Sequence, residues 1–380
     1  MSISEPDTPK TPDTPKSRDT HLLRRVDRVI GDLRRGLVAI VEGDSAALAL
    51  QAAETTTAAS LAQLASLDGG KLSLALTRRR AAALGLTATP SEPRGSSVLA
   101  LPRDTQPHFV HTLADPGAAV AGLGVDAPDG DRLVDAAIEL VKLTRLLPAA
   151  VIVSLTPAVA KRIAKSEDVL SVAAGDILAY EAEASHSMAI VSEARVPLAD
   201  AENTRLVHFR PRDGGVGHIA IVIGEPDPAK PVLVRLHSEC FTGDLLGSLR
   251  CDCGDQLRGA IAEIAKSGGG AVLYLSQEGR GIGLANKLRA YELQDAGFDT
   301  VDANELLGFD ADERVYLPAA AMLKQLGFAK VRLLTNNPEK VAALAHCGID
   351  VVERVPHAFP ANEHNERYLR TKAIRSGHLL

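Results

Sequence analysis

The sequence predicts a mixed α/β (α+β) protein with two domains behind a short polar tail. Short aliphatic runs alternate with segments that repeat apolar residues every three or four positions, which is the pattern of alternating strands and helices. The length of 380 residues corresponds to two or three domains. We therefore expect a tail at residues 1–20, one α/β domain at 21–200 and a second α/β domain at 204–380.

Composition and charge narrow the classes of function. Hydrophobic residues form 46% of the chain, and the net charge of −6 provides no general attraction for nucleic acid or an anionic membrane. Aromatic residues are 3% of the chain and Trp is absent, which argues against a base-stacking platform for nucleic acid. No apolar run reaches the about 18 residues that a membrane span needs.

The N-terminus and the cysteines indicate a reducing compartment. Residues 1–20 contain the near repeat PDTPKTPDTPK, which lacks the apolar core of a secretory signal and is expected to be disordered. The four cysteines are too unevenly spaced for a disulfide framework. We expect a cytoplasmic protein with free thiols.

The first domain is predicted from short β-like runs among Ala- and Leu-rich segments. The continuously apolar sequence GLVAIV predicts a strand at residues 36–41. Apolar residues at three- and four-residue spacing predict helices at 46–64 and 132–147. The sequence GLGVDAPDG at 122–130 predicts a turn-rich loop.

Strands and helices alternate again in the second domain, after a mixed-charge linker at 199–204. Glycines follow the predicted helices, and Pro338 stands in the first turn of the last one, as helix-end preferences favour. This alternation predicts an α/β catalytic domain. The predicted strands are 206–209, 217–223, 232–236, 271–275 and 331–334, and the predicted helices are 255–266, 284–294, 319–326 and 338–346.

Three of the four cysteines lie close together in the sequence. Cys240, Cys251 and Cys253 fall within fourteen residues, whereas Cys347 is far away and is expected to be a structural thiol. Three protein ligands and an open fourth position are typical of a catalytic zinc site, and a sulfur-rich donor set favours zinc. The neighbours are polar, which is unlike the surroundings of inert core thiols. His237 as a fourth ligand is an alternative that the local sequence leaves open.

Two loops that follow predicted strands are candidates for phosphate binding. The first, QEGRGIG at 277–283, combines glycines with Arg280 before a helix, and it lacks the G-x-G-x-x-G pattern of dinucleotide folds. In the second, TNNPEK at 335–340, Asn337 is a plausible N-cap. Lys340 opposes the helix dipole, and a bound anion would explain that placement. A bare turn and a solvated surface lysine are the respective alternatives.

A third loop, at residues 310–314, carries Asp312 and Arg314. A carboxylate there can act as a general base, and a guanidinium group can bind phosphate. A solvated charge cluster is the alternative reading of this loop.

Taken in order, these strings resemble GTP cyclohydrolase II of riboflavin biosynthesis. The resemblance is carried by RLHSECFTGDLLGSLRCDCGDQL, SQEGRGIGLANKLRAYELQDAGFDTVDAN, LGFDADER and VRLLTNNPEKV, and it covers residues 204–380. It implies a zinc-dependent hydrolase that converts GTP to 2,5-diamino-6-ribosylamino-4(3H)-pyrimidinone 5′-phosphate, formate and pyrophosphate. It also implies Mg²⁺ on the triphosphate and a homodimer as the default assembly.

The resemblance assigns roles to individual positions. It implies zinc ligation by Cys240, Cys251 and Cys253. Asp312 takes the place of the family's proton acceptor, and Arg314 that of its proposed nucleophile at the α-phosphate. Tyr291 is a further candidate that can hydrogen-bond the base, with a core tyrosine as the alternative. The implied GTP contacts are Arg235, Leu236 (in the usual place of Val), His237, Ser238, Glu239, Gln256, Glu278, Gly279, Arg280, Thr300, Val301, Thr335 and Lys340.

The first domain more weakly resembles 3,4-dihydroxy-2-butanone 4-phosphate synthase, which is often fused ahead of GTP cyclohydrolase II. Only Glu42, Asp44 and Glu54 remain of that family's dense acidic cluster, and its histidine is missing near GLGVDAPDGD. The synthase reaction needs clustered carboxylates for Mg²⁺ and a base. We therefore expect a domain that is inactive for that reaction and that has a scaffold, dimerisation or regulatory role instead. A bifunctional enzyme, a non-catalytic GTP-binding paralogue and an enzyme for another purine- or uracil-derived substrate are the alternatives.

Overall fold

Two β-sheets, one in each half of the chain, organise the fold. The computed structural model describes residues 17–67, 70–87, 94–117, 127–166 and 168–359, together with residues 363 and 375. The predicted α/β class is confirmed. Most of the predicted tail and part of the predicted loop at 122–130 lie outside the described residues. Among the described residues, no helix combines the length and the apolarity that a transmembrane span needs.

The first sheet has six strands in the order β4-β3-β5-β2-β1-β6, and only the β1–β6 pair is parallel. Helices cover both of its faces, so its strands are buried in two apolar clusters. The elements of this half are α1 (Ser17–Arg34), β1 (Ala39–Glu42), β2 (Ala47–Ala52), α2 (Ala58–Ser66), β3 (Ser73–Thr77), α3 (Arg78–Ala83), β4 (Ser96–Ala100), α4 (Pro107–Ala114), α5 (Arg132–Thr144), β5 (Ala149–Leu155), α6 (Pro157–Ser166), β6 (Ser171–Ala173) and α7 (Ala174–His186).

The predicted helix at 46–64 is wrong in its first half. Strand β2 occupies Ala47–Ala52, and helix α2 begins only at Ala58, where the side chain of Thr57 caps it. Because Ala and Leu fill nearly every position of β2, apolar residues also occur at helical spacing. Every residue of β2 is buried, because β2 lies between β1 and β5, and this packing outweighs the helix propensity of Ala and Leu. The predicted elements at 36–41 and 132–147 are confirmed as β1 and α5.

The second sheet has seven strands in the order β13-β12-β10-β11-β9-β8-β7. Its first four strands in that order are parallel and the remaining pairings are antiparallel. The elements of this half are β7 (Met188–Arg195), β8 (Thr204–Pro211), β9 (His218–Gly224), β10 (Val232–Ser238), α8 (Cys253–Lys266), β11 (Gly269–Leu275), α9 (Leu284–Asp295), α10 (Thr300–Leu306), α11 (Leu317–Gln325), β12 (Lys330–Leu334), α12 (Pro338–His346) and β13 (Asp350–Val355).

All nine strands and helices predicted for this half are present, with ends shifted by a few residues. Strands β7 and β13 and helix α10 were not predicted. Because β7 pairs with β8, the second sheet includes residues that the predicted division near 200 places in the first domain.

One apolar cluster, the shared core, contains residues of both halves. The cluster that lies beneath β3 and β5 also contains buried residues of α9, α10 and the loop that follows them, among them Ala290, Leu307 and Phe309. The second half has its own cluster around β10 and β11, which includes Leu344. The two sheets are therefore joined by buried apolar contacts as well as by the chain.

Leu307→Ala tests this shared core. Leu307 and Leu344 are both fully buried, and we expect either alanine substitution to lower the free energy of unfolding by about 2–5 kcal/mol. Only Leu307→Ala should also accelerate hydrogen exchange in β3 and α3 of the first half. Equal exchange rates in β3 for the two variants would contradict a shared core.

Candidate metal and nucleotide site

The predicted site residues converge at one edge of the second sheet. Strands β10, β11 and β12 are parallel, so their carboxyl ends meet at the same edge. The Cys240 loop, the Gly-rich loop and the Thr335 loop follow these three strands and surround a pocket. Its lining includes Arg235, His237, Ser238, Glu239, Cys240, Cys251, Cys253, Gln256, Glu278, Gly279, Arg280, Tyr291, Thr300, Arg314, Thr335 and Lys340.

Three predicted site residues do not line this pocket. The side chains of Leu236 and Val301 are buried in the protein interior. Only the carbonyl of Leu236 takes part in the site, where it accepts a hydrogen bond from Lys340 Nζ at 3.1 Å. Asp312 borders a neighbouring cavity between the two halves and reaches the pocket through Arg314.

The three clustered cysteines bring their sulfur atoms together. Their Sγ atoms all lie within 4.8 Å of one another, and Cys240 Sγ is 3.8 Å from Cys251 Sγ. Hydrogen bonds from the Cys251 and Cys253 thiols lower the pKa of the Cys240 thiol, and the nearby ammonium of Lys287 lowers it further. Three sulfur donors without a fourth fit an open zinc site.

Gly243 makes room for this cluster. A Cβ atom at this position would lie 2.8 Å from Cys251 Sγ, 2.9 Å from Cys253 Cβ and 3.1 Å from Cys240 Sγ. The turn at Phe241–Leu245 can fold over the three sulfur atoms only because residue 243 has no side chain.

His237 is not part of the sulfur cluster. Its Nε2 lies 3.1 Å from Asp244 Oδ1, while Asp244 Oδ2 accepts hydrogen bonds from Cys240 N and from the Tyr274 hydroxyl. Within the described ranges, the group that can hold a metal contains the three cysteines alone. His237 thus orients Asp244, which in turn supports the Cys240 loop.

Lys287 is a site residue that the sequence analysis missed. Its buried Nζ lies 3.1 Å from Cys240 Sγ, 2.9 Å from Thr242 Oγ1 and 2.8 Å from Glu278 Oε1. Glu278 also accepts a hydrogen bond from Phe241 N at 2.6 Å. The Lys287–Glu278 ion pair therefore joins the Gly-rich loop to the Cys240 loop. The sequence offered only a weak signal for Lys287, namely its position one turn into the helix that follows the glycines.

The pocket lining also contains a group of cationic side chains, here called the cationic wall: Arg235, Arg280 and Lys340. Arg235 and Lys340 are both buried, so the reading of Lys340 as a solvated surface lysine is wrong. Arg235 Nη1 donates to Leu334 O at 2.9 Å, and its second amino group contacts Gln256. Arg235 Nε and Asn304 Nδ2 are buried donors with no hydrogen-bond partner in the described part of the chain. Such donors favour a ligand rich in acceptor oxygens.

Asp312 and Arg314 form a tight pair at the rim. Asp312 Oδ1 accepts from Arg314 Nε at 2.8 Å and from Arg314 N at 3.0 Å. Burial alone would raise the pKa of Asp312, but the charge and hydrogen bonds of Arg314 outweigh burial and hold this pKa below its usual range. The carboxylate is ionised at neutral pH, and the guanidinium group faces the pocket.

The Gly-rich loop and the Asp312 loop lock together. Glu313 N donates to Arg280 O at 3.1 Å, and Arg280 Nη1 donates to Ala311 O at 3.3 Å. Gly281 has a φ of 100°, and a Cβ there would lie 2.8 Å from Glu313 O. The two loops can approach this closely only with glycine at position 281.

Tyr291 stands in the pocket wall beside a second unpredicted residue, Arg250. The Arg250 guanidinium carbon is 4.8 Å from the centroid of the Tyr291 ring. Burial raises the pKa of Tyr291, so its hydroxyl keeps its proton and can donate to a ligand.

Comparison with known proteins identifies relatives that align with more than nine-tenths of the chain. Residues 189–356 match the family model described as GTP cyclohydrolase II. The chain is 55% identical over 365 residues to GTP cyclohydrolase-2 of Azospirillum brasilense, covering 94% of each chain. It is 39% identical to GTP cyclohydrolase-2 of Xylella fastidiosa (strain 9a5c), covering 93% of this chain and 87% of the relative.

Two further similarities involve a riboflavin biosynthesis protein and a solved structure with a synthase title. The chain is 46% identical over 255 residues to riboflavin biosynthesis protein RibBA of Bacillus cereus (strain ATCC 14579), covering 65% of this chain and 64% of the relative. Among solved structures it is similar to RibBX, a two-domain 3,4-dihydroxy-2-butanone 4-phosphate synthase from A. baumannii. That likeness has a TM-score of 0.36 and 16% identity, and it covers 88% of this chain and all of the other.

Gly243→Ala tests the sulfur cluster without touching a sulfur atom. The added methyl group would press on the Sγ atoms of Cys240 and Cys251 and on the Cβ of Cys253, and we expect apparent zinc affinity to fall by about 10- to 100-fold. Competition with a chromophoric chelator measures this affinity. Leu246→Ala is the matched control, because Leu246 is exposed in the same loop. Unchanged affinity in Gly243→Ala would contradict a metal site at these cysteines.

Proposed function

The chain belongs to the GTP cyclohydrolase II family and is a GTP cyclohydrolase II enzyme of riboflavin biosynthesis, and from this premise we propose its chemistry. It hydrolyses GTP to 2,5-diamino-6-ribosylamino-4(3H)-pyrimidinone 5′-phosphate, formate and pyrophosphate in a zinc-dependent reaction. One observation carries this proposal: a cluster of three thiols and the cationic side chains of Arg235, Arg280 and Lys340 line a single pocket. The thiols suit a metal that opens the imidazole ring, and the cations suit a triphosphate.

The three cysteines hold zinc in this proposal. When zinc is bound there, it supplies Lewis acidity that makes water a nucleophile at neutral pH. Lys287 offsets part of the negative charge of the thiolates through its contact with Cys240. Asp244 fixes the backbone of the Cys240 loop. Carbon 8 of guanine, an amidine-like carbon, is then the atom placed opposite the thiols.

The cationic wall binds the triphosphate. Arg235, Arg280 and Lys340 supply positive charge around the helix N-terminus of α12, where backbone N–H groups also favour anions. Lys340 by itself opposes the dipole of α12, and a bound phosphate removes this conflict. We propose that Mg²⁺ accompanies the triphosphate, because these side chains neutralise only part of its charge.

Asp312 and Arg314 act on the α-phosphate. Asp312 orients the Arg314 guanidinium through hydrogen bonds from its Nε and Nη2. In this proposal a guanidinium nitrogen attacks the α-phosphorus, its proton passes to the ionised Asp312 carboxylate, and the bond between the α-phosphorus and the pyrophosphate oxygen breaks; water then hydrolyses the phosphorus–nitrogen bond. Arg314 is the group that meets the α-phosphate and promotes release of pyrophosphate. Tyr291 serves as a hydrogen-bond donor to the base.

The first domain has no synthase activity in this proposal. Its remaining acidic residues do not gather at a metal site in the described residues. Glu54 instead pairs with Arg289 at 2.8 Å and accepts a hydrogen bond from Leu147 N. The similarity to RibBA keeps a bifunctional enzyme as the second candidate. Formation of 3,4-dihydroxy-2-butanone 4-phosphate from ribulose 5-phosphate would establish it. We further propose that the protein is cytoplasmic and forms a homodimer. Light scattering of the purified protein tests the homodimer.

Incubation with GTP, Mg²⁺ and Zn²⁺ tests the central proposal. We expect formate, pyrophosphate and a product with diaminopyrimidine absorbance. Cys253→Ser should abolish formate release, because it removes one of the three thiolates. A wild-type protein that loads zinc and binds GTP but releases no formate would refute the proposed reaction.

Asp312→Asn should lower GTP turnover by about 10²- to 10⁴-fold, because an amide cannot accept a proton. Arg314→Ala should suppress pyrophosphate release as well as formate release. Asp350→Asn is the control, since Asp350 is an exposed carboxylate on β13. Zinc content measured in parallel should be unchanged in all three variants. Near-normal turnover by Asp312→Asn would exclude its role as proton acceptor.

A further inference from the structure

The first half of the chain contacts the two interlocked loops of the site directly. The contacts come from the last turn of α5 and from α3, and they reach Glu313, Ser276 and Asp310. None of the donor residues on α3 and α5 belongs to the pocket lining. They touch the backbone and side chains that hold the pocket residues in place.

Lys142 on α5 reaches the Asp312 loop. Its Nζ lies 3.0 Å from Glu313 Oε1 and 3.3 Å from Glu139 Oε1. Glu313 stands between Asp312 and Arg314 in the sequence, accepts a hydrogen bond from Asp310 N at 2.7 Å, and donates to Arg280 O. A shift of Glu313 would therefore move both catalytic candidates and the Gly-rich loop together.

Arg145 holds the Gly-rich loop from the other side. Its Nη2 donates to Ser276 O at 2.9 Å, and its own carbonyl accepts from Asn286 Nδ2 at 3.0 Å. Arg145 also has a φ of 62° at the end of α5, a position where glycine is usual. Such a conformation persists when surrounding contacts determine it. Here those contacts join α5 to the segments on both sides of the Gly-rich loop.

Arg79 anchors the start of the Asp312 loop. Its guanidinium group pairs with Glu305 at 2.5 Å and with Asp310 at 2.8 Å. The neighbouring Arg80 is buried and donates to Leu306 O at 3.1 Å. Both ends of the Asp312 loop are thus held by basic side chains of the first half.

Mostly buried ion pairs are weak evidence for added stability, because desolvation offsets much of their attraction. They do restrict the geometry of the groups that they join. Lys142 and Glu313 are 15% and 18% exposed, and both belong to the interface between the two halves. Hydrophobic contact through Leu307 and its neighbours already joins the halves. We therefore attribute to the charged contacts a role in fixing the geometry of the Asp312 loop.

We propose that Lys142, with Arg145 and Arg79, is a positioning residue for the cyclohydrolase reaction, and that the first domain acts as a brace for the Asp312 loop. The proposal deepens the proposed function and rests on it for the identity of the reacting groups. The brace sets the angle at which Arg314 faces the pocket. The first domain is then needed for turnover although it supplies no group that touches the substrate.

Lys142→Met tests the brace. We expect kcat for GTP to fall by about 10- to 100-fold, the loss that a displacement of about 1 Å produces. KM for GTP and zinc content should stay near the wild-type values, because the triphosphate wall and the thiols are untouched. Lys142→Arg should recover much of the loss, since it can still pair with Glu313. Lys161→Met is the control, because it removes an exposed lysine from α6.

Hydrogen exchange of the substrate-free protein supplies a readout that does not need turnover. In Lys142→Met, amides of residues 309–316 should exchange at least about 10-fold faster, while those of β10 and α8 keep their rates. Wild-type exchange at 309–316, or a kcat loss that only follows loss of folded protein, would overturn the brace. Absence of GTP turnover in the wild type would instead refute the proposed function, and exchange would still decide whether the brace exists.

Discussion

The parallel pairing of β10 with β11 and β12 is the constraint on which the rest of the site depends. Parallel strands end at the same edge, so three loops that are far apart in sequence meet there. One loop contributes sulfur, one contributes glycines and Arg280, and one contributes the N-terminus of α12. A different strand order would separate the thiols from the cations and leave neither with a function.

Charge pairing at this edge decides which side chains can be buried. Lys287 is tolerated beside Cys240 because Glu278 and the thiols share its charge. Arg235 and Lys340 are both buried and donate to the carbonyl oxygens of Leu334 and Leu236. Arg235 Nε is a buried donor without a hydrogen-bond partner in the described residues, so this part of the pocket is suited to an anionic ligand.

The first half of the chain is tied to the second half by charged as well as apolar contacts. Glu54, one of the acidic residues on which the resemblance to the synthase rests, forms an ion pair with Arg289 of the second half. Ion pairs and apolar contacts along this interface reach the loops around Asp312. These contacts are the basis for the proposal that the first domain supports the site.

The sequence by itself determined the class of fold, most strands and helices of the second half and the three cysteines whose sulfur atoms come together, because these depend on local periodicity and close spacing. It did not reveal β2, whose Ala and Leu residues suit a helix until burial between two strands decides otherwise. Nor did it reveal Lys287 or Lys142, since their partners are distant in sequence. Tertiary structure alone decided these, because the energy of a buried charge depends on the groups that folding brings beside it.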